Sequence, residues 1–421
     1  MKKIYLLLIL PLLLQSCLKD EKDLFSESAA DRIDNTVKAD RSVLIGAENG
    51  WIISLYPESN QIYGGYTLFA KFNSDNTVNV SSELYAADSV ITSYYDVISE
   101  TGPLLTFNTY NAFVHYFSDP KNPDGIGTSD GGMKGDYEFI IIEATAEKVT
   151  LKGKKSGNTV IMTPIKQGLV WKDYMTEYIN AVKSMSFDAF IYENNGKSYS
   201  VNASYRTLII TENGETKQTV SHIITPNGYE FYSPIEIDGA SIPSMTFDQA
   251  NKIFTNGNAK LTPVVLPLNQ QFVLKKWYFS WSNIGTWGKT YWNAGRNGML
   301  NTYGHELYYA NIGTTGGEFT FAFAGIAGTS VYNATLNYDA EFHGNDTITM
   351  VFNFSGNNNG VAYHNAGASN FLKSLGYSTP FTFKLTSDND DNPSWVKLEQ
   401  VGYPSNSFIV YKKPIYYPYN N

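Results

Sequence analysis

Cysteine is almost absent: the 421-residue chain has one, Cys17. That excludes a disulfide framework, a thiol nucleophile in the body of the protein and a thiolate metal site. Histidine is sparse at five residues, and His305-Glu306 lacks the second histidine four positions on that a zinc-peptidase helix requires. His115, His222 and His364 are isolated and read as structural. Charged residues reach only 17%, with acids in excess and a net charge of −9, which excludes electrostatic attraction to nucleic acid or to an anionic membrane surface. Beyond the first residues there is no long apolar run, and long helix-forming blocks are scarce. Aromatics, by contrast, make up 15% of the chain, including 31 Tyr, beside 34 Gly. This is an antiparallel β composition with many turns.

The N-terminus predicts location. Lys2 and Lys3 precede the apolar run Ile4 to Leu14, which Leu14-Gln15-Ser16-Cys17 closes. The order is that of a signal peptide, and the run is about half of the roughly 20 residues that a spanning helix needs. The tetrapeptide is similar to a bacterial lipobox, which implies a lipid on Cys17 as the first mature residue. Several acyl chains on one residue hold a protein to a membrane stably. The charge run Leu18 to Asp23 cannot pack into a core and forms a solvated tether. Within it Lys19-Asp20-Glu21 resembles the signals that send Bacteroidetes lipoproteins to the cell surface. Loss of residues 1–16 moves the formal charge to −11, with 29 basic against 40 acidic residues.

Residues 26–165 are expected to hold a helix and a small barrel. Ser28 with Asp31 resembles a capping box, and Ala30, Ile33, Val37 and Leu44 recur at helical spacing up to Gly46. About eight short strands follow, including one over Val90 to Ser99, in meander order that closes an up-and-down barrel. Gly50-Trp51 is similar to the Gly-x-Trp entry of lipocalins. Residues 166–268 predict a helix over Gly168 to Ser186, then a second β module with Asn-Gly turns at 195–196, 213–214 and 227–228 and a short helical piece from Phe247 to Phe254. Residues 269–421 form a third β module with one helix near Ala368 to Leu375. The fold class is therefore mainly β: several antiparallel barrel or sandwich modules, the first lipocalin-like, with a few short helices.

Asn49-Gly50-Trp51 with Tyr56-Pro57, Gly64-Gly65-Tyr66, Gly102 to Phe107, Thr109-Tyr110-Asn111, His115-Tyr116-Phe117, Gly135 to Phe139 and Leu151 to Lys155 appear in one order. In that order they resemble a family of Bacteroidetes lipoproteins that carry domain of unknown function 4302. The resemblance runs from about Ser26 to Ile165, weakens to about Leu268 and ends there. It implies a cell-surface lipoprotein, often encoded beside outer-membrane nutrient-uptake components, and it transfers no catalytic residue.

Candidate sites outside that stretch come from patterns alone. Trp277, Phe279 and Trp281 share one face of a predicted strand, and Trp287, Tyr291 and Trp292 lie in a stretch with Gly285, Gly288 and Gly295. In a glycine-rich loop such rings offer sugars a flat platform, with Trp281, Trp287, Tyr291 and Trp292 as the contacts; packed inward, they form a barrel core. Asp339, Glu341 and His343 alternate along a strand, as metal ligands or as its wet face. Asp388, Asp390, Asn392 and Glu399 have calcium-loop spacing, but Pro393 stands where glycine is needed, so a polar turn is the competing account. Asp88-Ser89-Val90 and Asp346-Thr347-Ile348 are similar to the short sequence that Bacteroidetes use for O-glycosylation, which makes Ser89 and Thr347 candidate acceptors. No metal site or cofactor is assigned. The expected function is a non-enzymatic surface lipoprotein, held in the outer membrane by its lipid, that captures a glycan, peptide or other nutrient or supports an uptake complex. A surface hydrolase and a structural or adhesive lipoprotein are the alternatives.

Overall fold

The computed structural model describes residues 27–128 and 130–420. Helix α1 (Ala29–Gly46) starts as its capping pattern predicts, with the Ser28 side chain accepting from the Asp31 amide at 3.1 Å. The chain then turns at Gly50, whose φ is +83° and whose absent Cβ would lie 2.7 Å from the Ala70 carbonyl oxygen. Trp51 follows, wholly buried, and its indole N–H donates to the Leu44 carbonyl at 2.8 Å. This bond fixes α1 to the first strand, and Leu44, with Val37, Val43 and Ile45, joins the module's core.

The first sheet comprises β1 (Trp51–Leu55), β2 (Tyr66–Phe72), β3 (Thr77–Ser82), β4 (Ile91–Tyr94), β5 (Asp96–Ser99), β6 (Pro103–Thr106), β7 (Glu138–Ala144), β8 (Val149–Gly153) and β9 (Thr159–Pro164). They pair antiparallel in the order β4-β3-β2-β1-β9-β8-β7-β6-β5, nine strands rather than the expected eight. The stretch from Val90 to Ser99 is two strands, because Tyr95 turns inward between them, packs on Phe72 and donates from its hydroxyl to the Asn73 carbonyl at 3.0 Å. No ladder joins β4 to β5. The loop before the short helix α2 (Ala112–His115) bridges the β4 rim: Thr109 Oγ1 accepts from the Tyr94 amide at 2.9 Å, and Asn111 Nδ2 donates to Ser93 Oγ at 3.0 Å. Alternate residues of β1, Trp51, Ile53 and Leu55, point inward, as a half-buried strand requires.

Helix α3 (Trp171–Met185) leads to a closed eight-stranded barrel, from β10 (Ala189–Asn194) to β17 (Ala259–Pro263), in which β10 pairs with β17. Asn195-Gly196 and Asn213-Gly214 form the expected tight turns, both residues at positive φ in each. The third turn is shifted by one residue: β13 (Glu215–Thr225) and β14 (Gly228–Ile237) are joined through Pro226 and Asn227, and Gly228 already pairs with Thr225. The expected helical piece at 247–254 is instead a hairpin. Asp248 Oδ1 accepts from the Ala250 and Asn251 amides at 2.9 and 3.1 Å, which turns the chain and lets Phe247 pack on Phe254.

Helix α4 (Leu268–Leu274) precedes a second closed eight-stranded barrel, from β18 (Lys276–Ile284) to β25 (Ser407–Tyr411). It is capped by α5 (Thr286–Tyr303) and by α6 (Asn358–Tyr363) and α7 (Ser369–Lys373), the last within the stretch expected to be helical.

The three modules touch one another. The outer face of the first sheet carries Phe69, wrapped by Trp171, Tyr174 and Tyr178 of α3, while Ala181 and Met185 at the far end of α3 belong to the second module's core. The second and third modules meet through Lys275 and Asp188 at 2.7 Å and through Asn389 Nδ2 donating to the Lys183 carbonyl at 3.0 Å. The third returns to the first where Lys413 meets Asp124 at 2.6 Å.

Candidate functional site

A ligand needs space, and the first module's interior does not provide it. The cavity left among Leu55, Leu68, Leu105 and Phe139 is about 10 Å³, against roughly 300–1,000 Å³ for small-molecule pockets. Barrel resemblance to lipocalins therefore does not extend to an internal binding chamber. The space lies outside, between the first and second modules, where a cleft of about 520 Å³ opens.

One wall is the outer face of β1 and β9. Because Trp51, Ile53, Val160 and Met162 face inward, strand alternation puts Ile52, Ser54, Thr159, Ile161 and Thr163 outward, into the cleft. The opposite wall is β13 and β14. There Tyr229 faces the second core, and Glu230 and Tyr232 face the cleft with Ile223 and Thr225. Tyr178 of α3, Tyr56, Thr67 and Phe231 complete the lining. The rings of Tyr56 and Tyr232 meet edge to face at 4.8 Å, and the Tyr232 hydroxyl accepts from the Thr159 amide at 3.1 Å, crossing from one module to the other.

The width of the cleft is set by a polar junction beside it. Arg206 donates to the Gly65 carbonyl at 2.6 Å and pairs with Glu83, whose side chain is completely buried. Ser221 Oγ donates to the Gln61 carbonyl at 2.7 Å, and the Gly65 amide donates to the His222 carbonyl at 2.9 Å. Glycine is required at 64 for this approach, since a Cβ there would sit 2.2 Å from the Arg206 Cβ. The backbone bond between Gly65 and His222 aligns the modules directly, and the Arg206 and Ser221 side chains add to it.

Burial raises the phenols of Tyr56 and Tyr178 well above the usual range, so both are neutral donors. It also raises the carboxyl of Glu230, even though that residue keeps more than a third of its surface open at the mouth of the cleft. His222, stacked on Tyr229 at 4.0 Å beneath the wall, is pushed down to about 3 by burial and then by Arg206, and is therefore neutral. Glu230 is the single carboxylate in the cleft lining, and Glu83 below is engaged by Arg206. The pair of free carboxylates that glycoside hydrolysis uses is not assembled there.

The patterns singled out in the sequence lie elsewhere. Cys17, Lys19, Asp20 and Glu21 fall outside the described residues. Gly285, Gly288 and Gly295 do not make a loop: residues 286–303 are the helix α5. Trp292 is 1% exposed, set against Phe279, Phe321 and Phe371, and so is core rather than platform. Trp277 and Phe279 also face inward, but a register shift between Phe279 and Ile284 separates Trp281 from them, and Trp281 stacks on Tyr419 at 4.7 Å. Trp287 and Tyr291 are half-buried, packed on each other and, for Trp287, on Tyr403.

Asp339, Glu341 and His343 are exposed on one strand face, and His343 is hydrogen-bonded to Thr349 at 2.9 Å. Asp388 accepts from the Ser394 amide at 2.9 Å and Asp390 from Ser387 at 2.6 Å, which folds the loop into a polar turn. Among the described residues no three His, Cys, Asp or Glu side chains gather as a metal site. Ser89 and Thr347 are both half-exposed, Thr347 at the start of a strand. Among the described residues no helix is long and apolar enough to cross a membrane.

The cleft has only a partial signature in the sequence. The alternating run Tyr229-Glu230-Phe231-Tyr232 does signal that Glu230 and Tyr232 share an outward face, but which surface would oppose them has no local signature.

The family model for Domain of unknown function (DUF4302) matches residues 21–249. The chain belongs to this family, and the matched stretch contains both walls of the cleft. No curated protein matches the chain. Among solved structures, DNA polymerase III subunit beta from Borrelia burgdorferi is 12% identical, over 91% of this chain and 97% of that one, at a TM-score of 0.13. The Helicobacter pylori beta clamp bound to DNA ligase peptide is 10% identical, over 91% and 98%, at a TM-score of 0.12.

Proposed function

We propose that this protein is a non-enzymatic lipoprotein of the outer membrane, displayed on the cell surface through lipid on Cys17, that captures a small organic nutrient in the cleft between its first two modules. The ligand is a glycan, a peptide or another small nutrient, handed on to an uptake complex. The observation that carries the reading is the cleft of about 520 Å³ beside a first module whose core holds a void of about 10 Å³ among Leu55, Leu68, Leu105 and Phe139. Its chemistry is that of binding: rings for apolar faces, threonine and serine hydroxyls for polar groups, and a fixed width. The lipobox-like Leu14 to Cys17 and the Lys19-Asp20-Glu21 signal support the location.

The test has two arms. Intact cells carrying wild type, Cys17→Ala, or Lys19, Asp20 and Glu21 all changed to alanine are treated with protease. Wild type is shaved, the triple variant is protected, and the Cys17→Ala protein leaves the membrane fraction. Purified protein is then run over a glycan and peptide array beside Ile161→Trp, which fills the cleft from the outer face of β9. Ligands bind wild type and not the filled variant. Equal signals from both would end the cleft reading, and a wild type resistant to protease would end the surface placement.

A further inference from the structure

The cleft has one formal charge and nothing to balance it. Glu230 faces the cavity from β14, and among the described residues no cation or hydrogen-bond donor reaches its carboxylate; burial is the cause of its raised pKa. Glu230 is only partly withdrawn from water, so its carboxylate stays within reach of an arriving molecule, and a matching cation stabilises it more than it would a fully solvated carboxylate. The adjacent cation of the second module, Arg206, is spent on Glu83 and on the Gly65 carbonyl and lies behind the wall. Around Glu230 stand Tyr56, Tyr178 and Tyr232, whose ring faces attract positive charge, and the hydroxyls of Tyr56 and Tyr178, kept neutral by burial, accept hydrogen bonds. Ile52, Ile161 and Ile223 supply an apolar surface for the remainder of a ligand.

We infer that the cleft selects a ligand with a primary ammonium group joined to an apolar body, the ammonium on Glu230 and the body against the tyrosine and isoleucine walls. The inference rests on the cleft reading proposed above and narrows its ligand class. A free small amine and a lysine side chain of a peptide share this chemistry.

Ligand-observed NMR on the purified full chain tests it. The probes are 2-phenylethylamine, its N-acetyl derivative, 3-phenylpropionate, and a blocked lysine-phenylalanine dipeptide, each at millimolar concentration. Wild type binds the amine; the N-acetyl and carboxylate analogues bind about tenfold more weakly or not at all, and Glu230→Gln loses about tenfold for the amine alone. Binding of the dipeptide assigns the source to peptide, and binding of the free amine without the dipeptide assigns it to small amines. Circular dichroism and thermal unfolding of Glu230→Gln confirm that it is folded. If Glu230→Gln binds the amine as wild type does, or the N-acetyl probe binds equally well, or no probe binds, the ammonium inference is overturned. Ile161→Trp separates the two claims: loss of probe binding there with Glu230→Gln unchanged leaves the cleft standing and removes only the ammonium, whereas unchanged binding in Ile161→Trp removes both.

Discussion

Arg206 of the second module reaches into the first and pairs with Glu83, and both side chains are buried, Glu83 completely. Replacing one partner leaves an uncompensated charge in a dry site, which costs about 3–5 kcal/mol, whereas replacing both with apolar residues of similar volume is often nearly neutral. Arg206→Ala is therefore expected to destabilise the protein by about 3–5 kcal/mol in chemical denaturation. Arg206→Met with Glu83→Leu should recover most of that loss. Equal losses in the single and double variants would show that the pair does not act as a unit.

His222 gives the junction a pH dependence of known sign. Burial holds its folded pKa near 3, below its ordinary 6.5, so the native state keeps it neutral while the unfolded chain takes up a proton. Its contribution is fully present above the unfolded pKa and is lost as pH falls from 6.5 toward 3. The slope is at most about 1.4 kcal/mol per pH unit. His222→Phe should flatten the stability profile between those limits relative to wild type, measured by urea unfolding at several pH values. An unchanged slope would mean that other groups carry the acid sensitivity.

Two tryptophans that look alike in the sequence are expected to behave differently. Trp292→Ala empties a site enclosed by Phe279, Phe321 and Phe371 and should cost about 3–5 kcal/mol. Trp287→Ala removes a half-buried ring from the outside of α5 and should cost clearly less. Neither should change ligand binding in the cleft, which the third module does not line. Calorimetry for the first two expectations and the array for the third check them together.

Gly50→Ala tests the turn that aims Trp51. At φ +83° the new Cβ would lie 2.7 Å from the Ala70 carbonyl oxygen and 2.8 Å from Cζ2 of Trp171. Both the backbone conformation and the contact oppose it, so the loss should exceed about 1 kcal/mol. Because Trp171 belongs to α3, near-ultraviolet circular dichroism should change together with the melting temperature.

Sequence was most informative where a local rule decides the structure. The Ser28 cap and the Asn-Gly turns at 195–196 and 213–214 required nothing beyond neighbouring residues. It misled at α5, where glycines suggested a loop. Gly288 and Gly295 are in a helix because it packs closely against the barrel and against α7: a Cβ at 288 would come 2.9 Å from Ile284 Cγ2, and one at 295 would come 2.8 Å from Phe371 of α7. Packing outweighs the roughly 1 kcal/mol that glycine costs a helix interior. The cleft was the least legible feature. Ser54 and Thr159 are neighbours of Glu230 and Tyr232 only once two modules have met, and alternation shows which way a side chain points without showing what faces it.

Helix α3, with its 15 residues, is about 22 Å long. Its first turns are held by Phe69 on the outside of one module, and its last by the interior of the next. A chain that leaves one barrel and enters another through a loop has a hinge; this chain has a spar. Opening the cleft would mean unseating one end of that spar, so the gap between the modules is a fixed gauge against which an arriving molecule is measured.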